Sequence, residues 1–224
     1  MKKIALITGA SKGIGKALAK KMLNEGFIVI GTSRSGKIND IEGKDFHSIK
    51  LDLSNPESIE DAHKEILKKF KGIDILINNA GIGPDLDTYY PERKSFNLTF
   101  DINVNGTVFF TKPLIEAINE NGAILNISSK MGSLHVCELT DSVAYRMSKS
   151  ALNMYTKILA NSLKGKIKVA SIHPGWVKTT IIESNLTNGR LTPKQSAENI
   201  FNFIKMDYES GTFWNSENGS NLQW

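Results

Sequence analysis

Short apolar runs and helical stripes alternate along this chain almost from its first residue. Ile4-Ala5-Leu6-Ile7 is apolar at every position, the pattern of a strand covered on both faces. Residues 13–25 follow, with Ile14, Ala17, Leu18 and Met22 on one side of a helix that stops near Gly26. Phe27–Ile30 and Phe46–Leu51 read as the second and third strands. The polar stretch 34–45 between them is too short for a full crossover helix, so that connection is predicted to be abbreviated. Pro56 suits the first turn of a helix running to about Phe70, and Ile73–Ile77 is a fourth strand. A helix over roughly 97–119 leads to a strand at Ala123–Ile127. A long helix over about 143–163 leads to a strand at Val169–Ile172, stopped by Pro174-Gly175. A helix over 193–204 and a short strand, Thr212–Trp214, complete the pattern.

Strands and helices in strict alternation predict an α/β fold: a doubly wound (Rossmann) parallel sheet of about seven strands, with helices on both faces. With no linker, internal repeat or low-complexity tract, residues 1–224 are expected to form a single domain. Such sheets bind ligands beyond the carboxyl ends of their strands, where the strand order reverses. Most of the chemistry-bearing residues fall at those ends.

Composition narrows the class. The chain is 40% apolar and 23% charged, ordinary for a globular protein. Its net charge of +5 comes partly from Lys64/Lys68/Lys69/Lys71 and Lys164/Lys166/Lys168. These read as solvated helix ends complementing the helix dipole; without aromatic interleaving they predict no nucleic-acid binding. The apolar start breaks at Thr8-Gly9, too early for a signal peptide, and no stretch approaches the ~20 apolar residues of a membrane span. One cysteine, Cys137, excludes an intrachain disulfide and fits a reducing, cytoplasmic setting. The four histidines show no metal-ligand spacing, so no metal is expected.

The first strand runs into Thr8-Gly9-Ala10-Ser11-Lys12-Gly13-Ile14-Gly15. Glycine serves where the backbone needs φ > 0 or a Cβ would block close approach. Gly9 is placed for the tight turn, and Gly13 and Gly15 for approach of a helix N-terminus to a pyrophosphate. The second strand ends in Gly31-Thr32-Ser33-Arg34, with no Asp or Glu to take a ribose 2′-hydroxyl. Arg34 and Lys12 would instead attract a 2′-phosphate, which favours NADP(H) over NAD(H). Downstream, Tyr145 and Lys149 stand four residues apart on a predicted helix, roughly 5–6 Å apart at Cβ. A nearby ammonium is expected to lower the phenol's pKa and make it a proton donor and acceptor.

Assembled, the motifs resemble the short-chain dehydrogenase/reductase family in its compact single-domain branch. They are Thr8-Gly9-x3-Gly13-x-Gly15, Asn78-Asn79-Ala80-Gly81, Asn103, Ser129, Tyr145-x3-Lys149 and Pro174-Gly175. The stretches Ser128–Ser133 and Tyr145–Asn153, with the aromatic ending Gly211–Trp224, are most similar to C-factor-like carbonyl reductases. The resemblance implies hydride transfer between NADPH and a small-molecule carbonyl or alcohol. It gives Tyr145 the proton transfer, Lys149 the nicotinamide ribose, Ser129 the substrate oxygen and Asn103 a proton-relaying water. Ser129 and Asn103 are preferred to Ser128 and Asn105 on motif alignment. By the same resemblance Gly9, Ser11, Lys12, Gly13, Ile14, Gly15, Ser33 and Arg34 hold the phosphates and ribose. Asp52 and Leu53 would flank the adenine, and Asn79, Ala80 and Gly81 its ribose. Pro174, Gly175, Val177 and Thr179 would follow the carboxamide, beside Tyr145 and Lys149. A homodimer or homotetramer is implied as well.

Two departures shape expectations of the pocket. Fifteen residues separate Ser129 from Tyr145, a longer loop than in many relatives. About seventeen follow Pro174-Gly175 before the last helix, so the lid is short and the pocket is expected to be open. Trp176, His135 and Tyr90 are candidate wall residues. Asp52 has a plainer reading as a helix cap before Pro56. Against the reductase stand two other classes: a dinucleotide-binding sensor with little turnover, and an epimerase or dehydratase. The latter typically differs in glycine spacing and needs a larger C-terminal substrate region.

Overall fold

In the computed structural model, which describes residues 2–224, eight strands form one sheet in the order β3-β2-β1-β4-β5-β6-β7-β8. They are β1 (Ile4–Ile7), β2 (Ile28–Ser33), β3 (Phe46–Lys50), β4 (Ile73–Asn78), β5 (Ile118–Ile127), β6 (Lys168–His173), β7 (Thr212–Asn215) and β8 (Ser220–Asn221). The first seven are parallel; β8 returns antiparallel against β7 as an added edge. The helices are α1 (Gly13–Asn24), α2 (Pro56–Lys69), α3 (Arg93–Phe100), α4 (Thr107–Leu114), α5 (Val143–Ser162), α6 (Ser184–Asn188) and α7 (Pro193–Lys205).

Continuous apolar strands serve both faces because successive side chains point to opposite sides. Ala5, Ile7, Val29, Ile77 and Ile172 pack with Leu18, Met22, Ile200 and Phe201 under α1 and α7. Leu6, Ile30, Leu76, Ile124 and Val169 pack on the other face with Ile66, Phe110 and Leu159 of α2, α4 and α5. The abbreviated link between β2 and β3 carries no helix; Ile38 and Ile41 tuck it into the first of these cores. Asn55 caps α2, its Oδ1 accepting from the amides of Glu57 and Ser58, with Pro56 in the first turn.

The structure corrects three expectations. The predicted helix over 97–119 starts earlier, at Arg93, and winds into a π-helical turn over Asp101–Gly106 before α4. It finishes in a 3₁₀ turn, Ile115–Ala117, after which β5 already begins at Ile118. β8 and the small helix α6 were not anticipated. The order of strands reverses between β1 and β4, and the loops leaving their carboxyl ends part there to form a crevice.

Candidate active site

The glycine turn is fastened to the loop after β4. The Thr8 hydroxyl accepts from the amides of Asn79 and Ala80, both at 3.0 Å. Asn79 Nδ2 donates to the carbonyls of Thr8 (2.8 Å) and Gly9 (3.3 Å). Gly9 (φ +69°) and Gly13 (φ +56°) occupy the left-handed region that favours glycine. Gly15 has another duty than the expected approach to a pyrophosphate. A Cβ there would collide with the Gly9 carbonyl and Asn79 Nδ2, so this glycine lets α1 pack on the turn.

A cleft of about 440 Å³ opens at the crevice. Gly9, Ser11, Lys12, Gly13, Ile14, Ser33, Arg34, Asp52, Leu53, Asn79, Ala80, Gly81 and Thr179 all border it. Pro174, Gly175 and Val177 do not. The Pro174 carbonyl accepts from Ser196 Oγ at 2.7 Å, Gly175 (φ +88°) turns the chain, and buried Val177 bridges to Leu191. They shape the wall from behind, and Thr180 and Ile181 face the cleft beside Thr179. Ile82, Gly83 and Pro84 extend the opposite wall. Lys12 and Arg34 make no ion pair with the described residues. Asp52 lies near Arg34, and its Oδ1 accepts from the amide (3.0 Å) and hydroxyl (2.7 Å) of Ser54. Burial raises the Asp52 pKa, but Ser54, Arg34 and Lys50 outweigh it and the net direction is down. It does not cap α2, a role taken by Asn55.

At the inner end of the cleft, Gly81 and Gly83 separate it from the helix residues. A Cβ on Gly81 would lie 3.2 Å from Asn103 Oδ1 and 3.4 Å from Lys149 Nζ; one on Gly83 would lie 3.0 Å from Tyr145 Cδ2. Asn103, Tyr145 and Lys149 therefore meet behind these two glycines. Asn103 Oδ1 accepts from the Ile82 amide at 2.9 Å, and its Nδ2 donates to the Ile82 carbonyl (2.8 Å) and Ser148 Oγ (3.1 Å). Those bonds commit its side chain to clamping the cleft wall. Asn105 is exposed and turns to Asp101. Ser129 Oγ accepts from the Met131 amide at 3.1 Å and interacts with the Tyr145 phenol. Ser128 is spent on α5, donating to Asn153 Oδ1 at 2.7 Å.

Electrostatics correct one expectation. Burial pushes the Tyr145 phenol up to about 12; Ser129 pulls it down and the charge of Asp85 pushes it further up. Ionising it is about 3 kcal/mol harder than in water. Lys149 sits with Nζ 5.5 Å from the centroid of the tyrosine ring and donates to the Ile127 carbonyl at 2.8 Å. It is itself driven down to about 8 by burial. Desolvation outweighs the attraction between the two groups.

The match to the short chain dehydrogenase family spans residues 3–189, most of the sequence and every residue that lines the cleft. The chain belongs to that family. Among its relatives is a farnesol dehydrogenase of Aedes aegypti, 31% identical over 202 residues, covering 84% of this chain and 82% of that one. The NADPH-bound carbonyl reductase from chicken fatty liver superposes with a TM-score of 0.84 at 26% identity, covering 100% of this chain and 99% of that one. A 3-ketoacyl-(acyl-carrier-protein) reductase from Brucella melitensis, complexed with NADH, superposes with a TM-score of 0.81 at 27% identity, covering 95% and 96%. This short-chain dehydrogenase is an oxidoreductase that moves a hydride between a nicotinamide dinucleotide and a carbonyl or alcohol.

Around this site the lid is short but not detached. Helix α6 reaches the loop after β4 through Ser184 Oγ, which donates to Asp87 Oδ2 at 2.9 Å. The Trp176 indole donates to Asn185 Oδ1 at 2.8 Å, tying the start of the lid to the same helix. Tyr90 is 91% exposed and walls nothing, and His135 is held by its amide to the Trp224 carbonyl at 3.1 Å. Thr8, Ser148, Thr180, Ile181 and Asp85 were missed from sequence. Only Thr8 carried a signal, as the hydroxyl that opens the glycine turn. No helix among the described residues is long and apolar enough to cross a membrane.

Proposed function

We propose that this chain is an NADPH-dependent carbonyl reductase acting on a small aldehyde, ketone or quinone. The observation that carries the reading is the meeting of Asn103, Tyr145 and Lys149 behind Gly81 and Gly83, with Ser129 beside the phenol. When bound along the cleft, NADPH supplies the hydride. Gly9, Ser11, Gly13 and Ile14 suit its phosphates, Asp52 and Leu53 its adenine, and Asn79, Ala80 and Gly81 the adjoining ribose. Lys12, Ser33 and Arg34 border the same cleft, and two cations that form no ion pair among the described residues favour the extra phosphate of NADP(H). Thr179 supports the carboxamide end.

Ser129 orients the carbonyl oxygen and Tyr145 Oη gives it a proton as the alcohol forms. A phenol at about 12 keeps its proton at neutral pH, which suits the reductive direction. Lys149 offers its ammonium to the ribose hydroxyls, steadied by the Ile127 carbonyl. Asn103 holds the loop over this pair. The test is a fluorescence titration with NADPH and NADH, followed by a panel of aldehydes, ketones and quinones. Tight NADPH binding with oxidation by any of them is expected. Tight binding without turnover would turn the reading towards a dinucleotide sensor.

A homodimer or homotetramer belongs to the same proposal, in a cytoplasmic setting compatible with the exposed thiol of Cys137. Met147, Met154 and Ile158 follow one face of α5, and Phe109 stands out from α4; Met154 is 63% and Phe109 61% exposed. The double variant Met154→Glu/Ile158→Glu should elute as a monomer in size-exclusion chromatography with light scattering. An unchanged assembly would remove α5 from the interface.

A further inference from the structure

The helix that carries Tyr145 lacks a cap of its own. Its N-cap residue, Ser142, sits in the left-handed region at φ +56° and makes no side-chain bond to the first turn. A helix start leaves several amides without partners, and an unpaired buried amide costs free energy comparable to a lost hydrogen bond. Here the partner comes from 59 and 60 residues upstream. Asp85 Oδ2 accepts from the Ala144 amide at 2.6 Å, and the Tyr145 amide lies 3.2 Å from Oδ1 and 3.3 Å from Oδ2. Asp85 is 2% exposed and forms no ion pair among the described residues. Its charge is balanced by the positive end of α5.

The same short segment is bolted on at neighbouring points. The Asp87 amide donates to Ser142 Oγ at 3.1 Å, and the Ser142 amide donates to the Thr88 carbonyl at 2.7 Å. Asp85 follows Gly83 and Pro84, which line the cleft, and Gly83 packs on the ring of Tyr145. One carboxylate thus joins the cleft wall to the backbone of the residue that faces the reacting carbonyl.

We propose that Asp85 is a positioning residue for the reaction: its buried carboxylate grips the Tyr145 amide and fixes the phenol against the cleft wall. The inference rests on the reading of Tyr145 as the proton donor. It has a second consequence, because the carboxylate's charge opposes formation of the phenolate. The other charged groups around the phenol are accounted for. On α5, Lys149 is bonded to the Ile127 carbonyl and Arg146 is paired with Asp141 at 2.7 Å. From β6, His173 is held neutral, pushed down to about 4 by burial. Lys130 after β5, Asp101 on the π-helical turn, and Arg93 and Lys94 on α3 are exposed to solvent.

The test compares Asp85→Asn and Asp85→Ser, two neutral residues able to cap the helix, with the native enzyme and Tyr145→Phe. Thermal unfolding and NADPH titration report integrity, and kcat is followed across pH in both directions. Both neutral variants are expected to bind NADPH as the native enzyme does. The pH at which reduction falls and oxidation rises should move down by about half a pH unit or more. Folded variants whose profiles coincide with the native one would overturn the inference, and so would failure of both to fold, which would leave Asp85 a stabilising role alone. If Tyr145→Phe remains fully active, the catalytic reading itself falls; if it is inactive while the Asp85 profiles stay put, only this inference does.

Discussion

Tyr145→Phe should bind NADPH with the native affinity and lose carbonyl reduction by about 10²–10⁴-fold. The ring is retained, so its packing on Gly83 and the geometry of α5 stay as they are. What disappears is one hydroxyl, and with it the phenolic proton beside Ser129. The loss should fall on kcat, with the cofactor dissociation constant unchanged and the unfolding temperature close to native. Native-like turnover would assign the proton transfer to another group. The pH dependence separates Tyr145 from its neighbour. With the phenol at about 12, it stays protonated through the neutral range, whereas Lys149, at about 8, loses its charge as the pH rises past that point. Cofactor retention should therefore weaken above about pH 8. Stability moves the other way. Lys149 takes up its proton less readily folded than unfolded, so between about 8 and its ordinary value of 10.5 the unfolded chain binds more protons and stability rises with pH. Burial of Lys149 thus costs stability at neutral pH.

Much of this was legible in the sequence because the signals were local. Strands covered on both faces announce themselves as unbroken apolar runs, and β1, β4 and β6 appeared where Ile4–Ile7, Ile73–Ile77 and Val169–Ile172 predicted. Gly9 and Gly13 could be read because positive φ is a property of one residue. What stayed hidden depends on distant partners. Ser220–Asn221 is polar and becomes a strand only because β7 is there to pair with it. The π-helical turn inserts a residue into a helical period that the apolar pattern cannot register, and so the 97–119 helix looked continuous. Capping of α5 by Asp85 left no trace at residues 140–145, since the acceptor lies some 60 residues away. The expected fall in the tyrosine's pKa went wrong for a related reason: spacing shows that Lys149 is near, but not how dry the site is.

Arg34→Asp should raise the dissociation constant for NADPH by about 10²-fold or more, while NADH changes by no more than a few-fold. Arg34 stands just past the end of β2 on the cleft, and Asp52, a carboxylate near it, is already engaged by Ser54. A guanidinium free of an ion pair can give a phosphate two parallel hydrogen bonds. Hydrogen bonds to charged groups are worth about 1.5–3 kcal/mol, and reversing the charge adds repulsion to their loss. Together these reach the predicted factor without any contribution from Lys12, which faces the same space from the glycine turn. For NADH the substitution has a compensating gain. A carboxylate at the end of the second strand can accept from a ribose 2′-hydroxyl, the arrangement this chain lacks. Discrimination between the two cofactors should therefore invert, and parallel titrations of the native and variant proteins with both would show it. Equal weakening of NADPH and NADH would mean that Arg34 supports the turn as a whole, and would transfer the 2′-phosphate to Lys12 and Ser33.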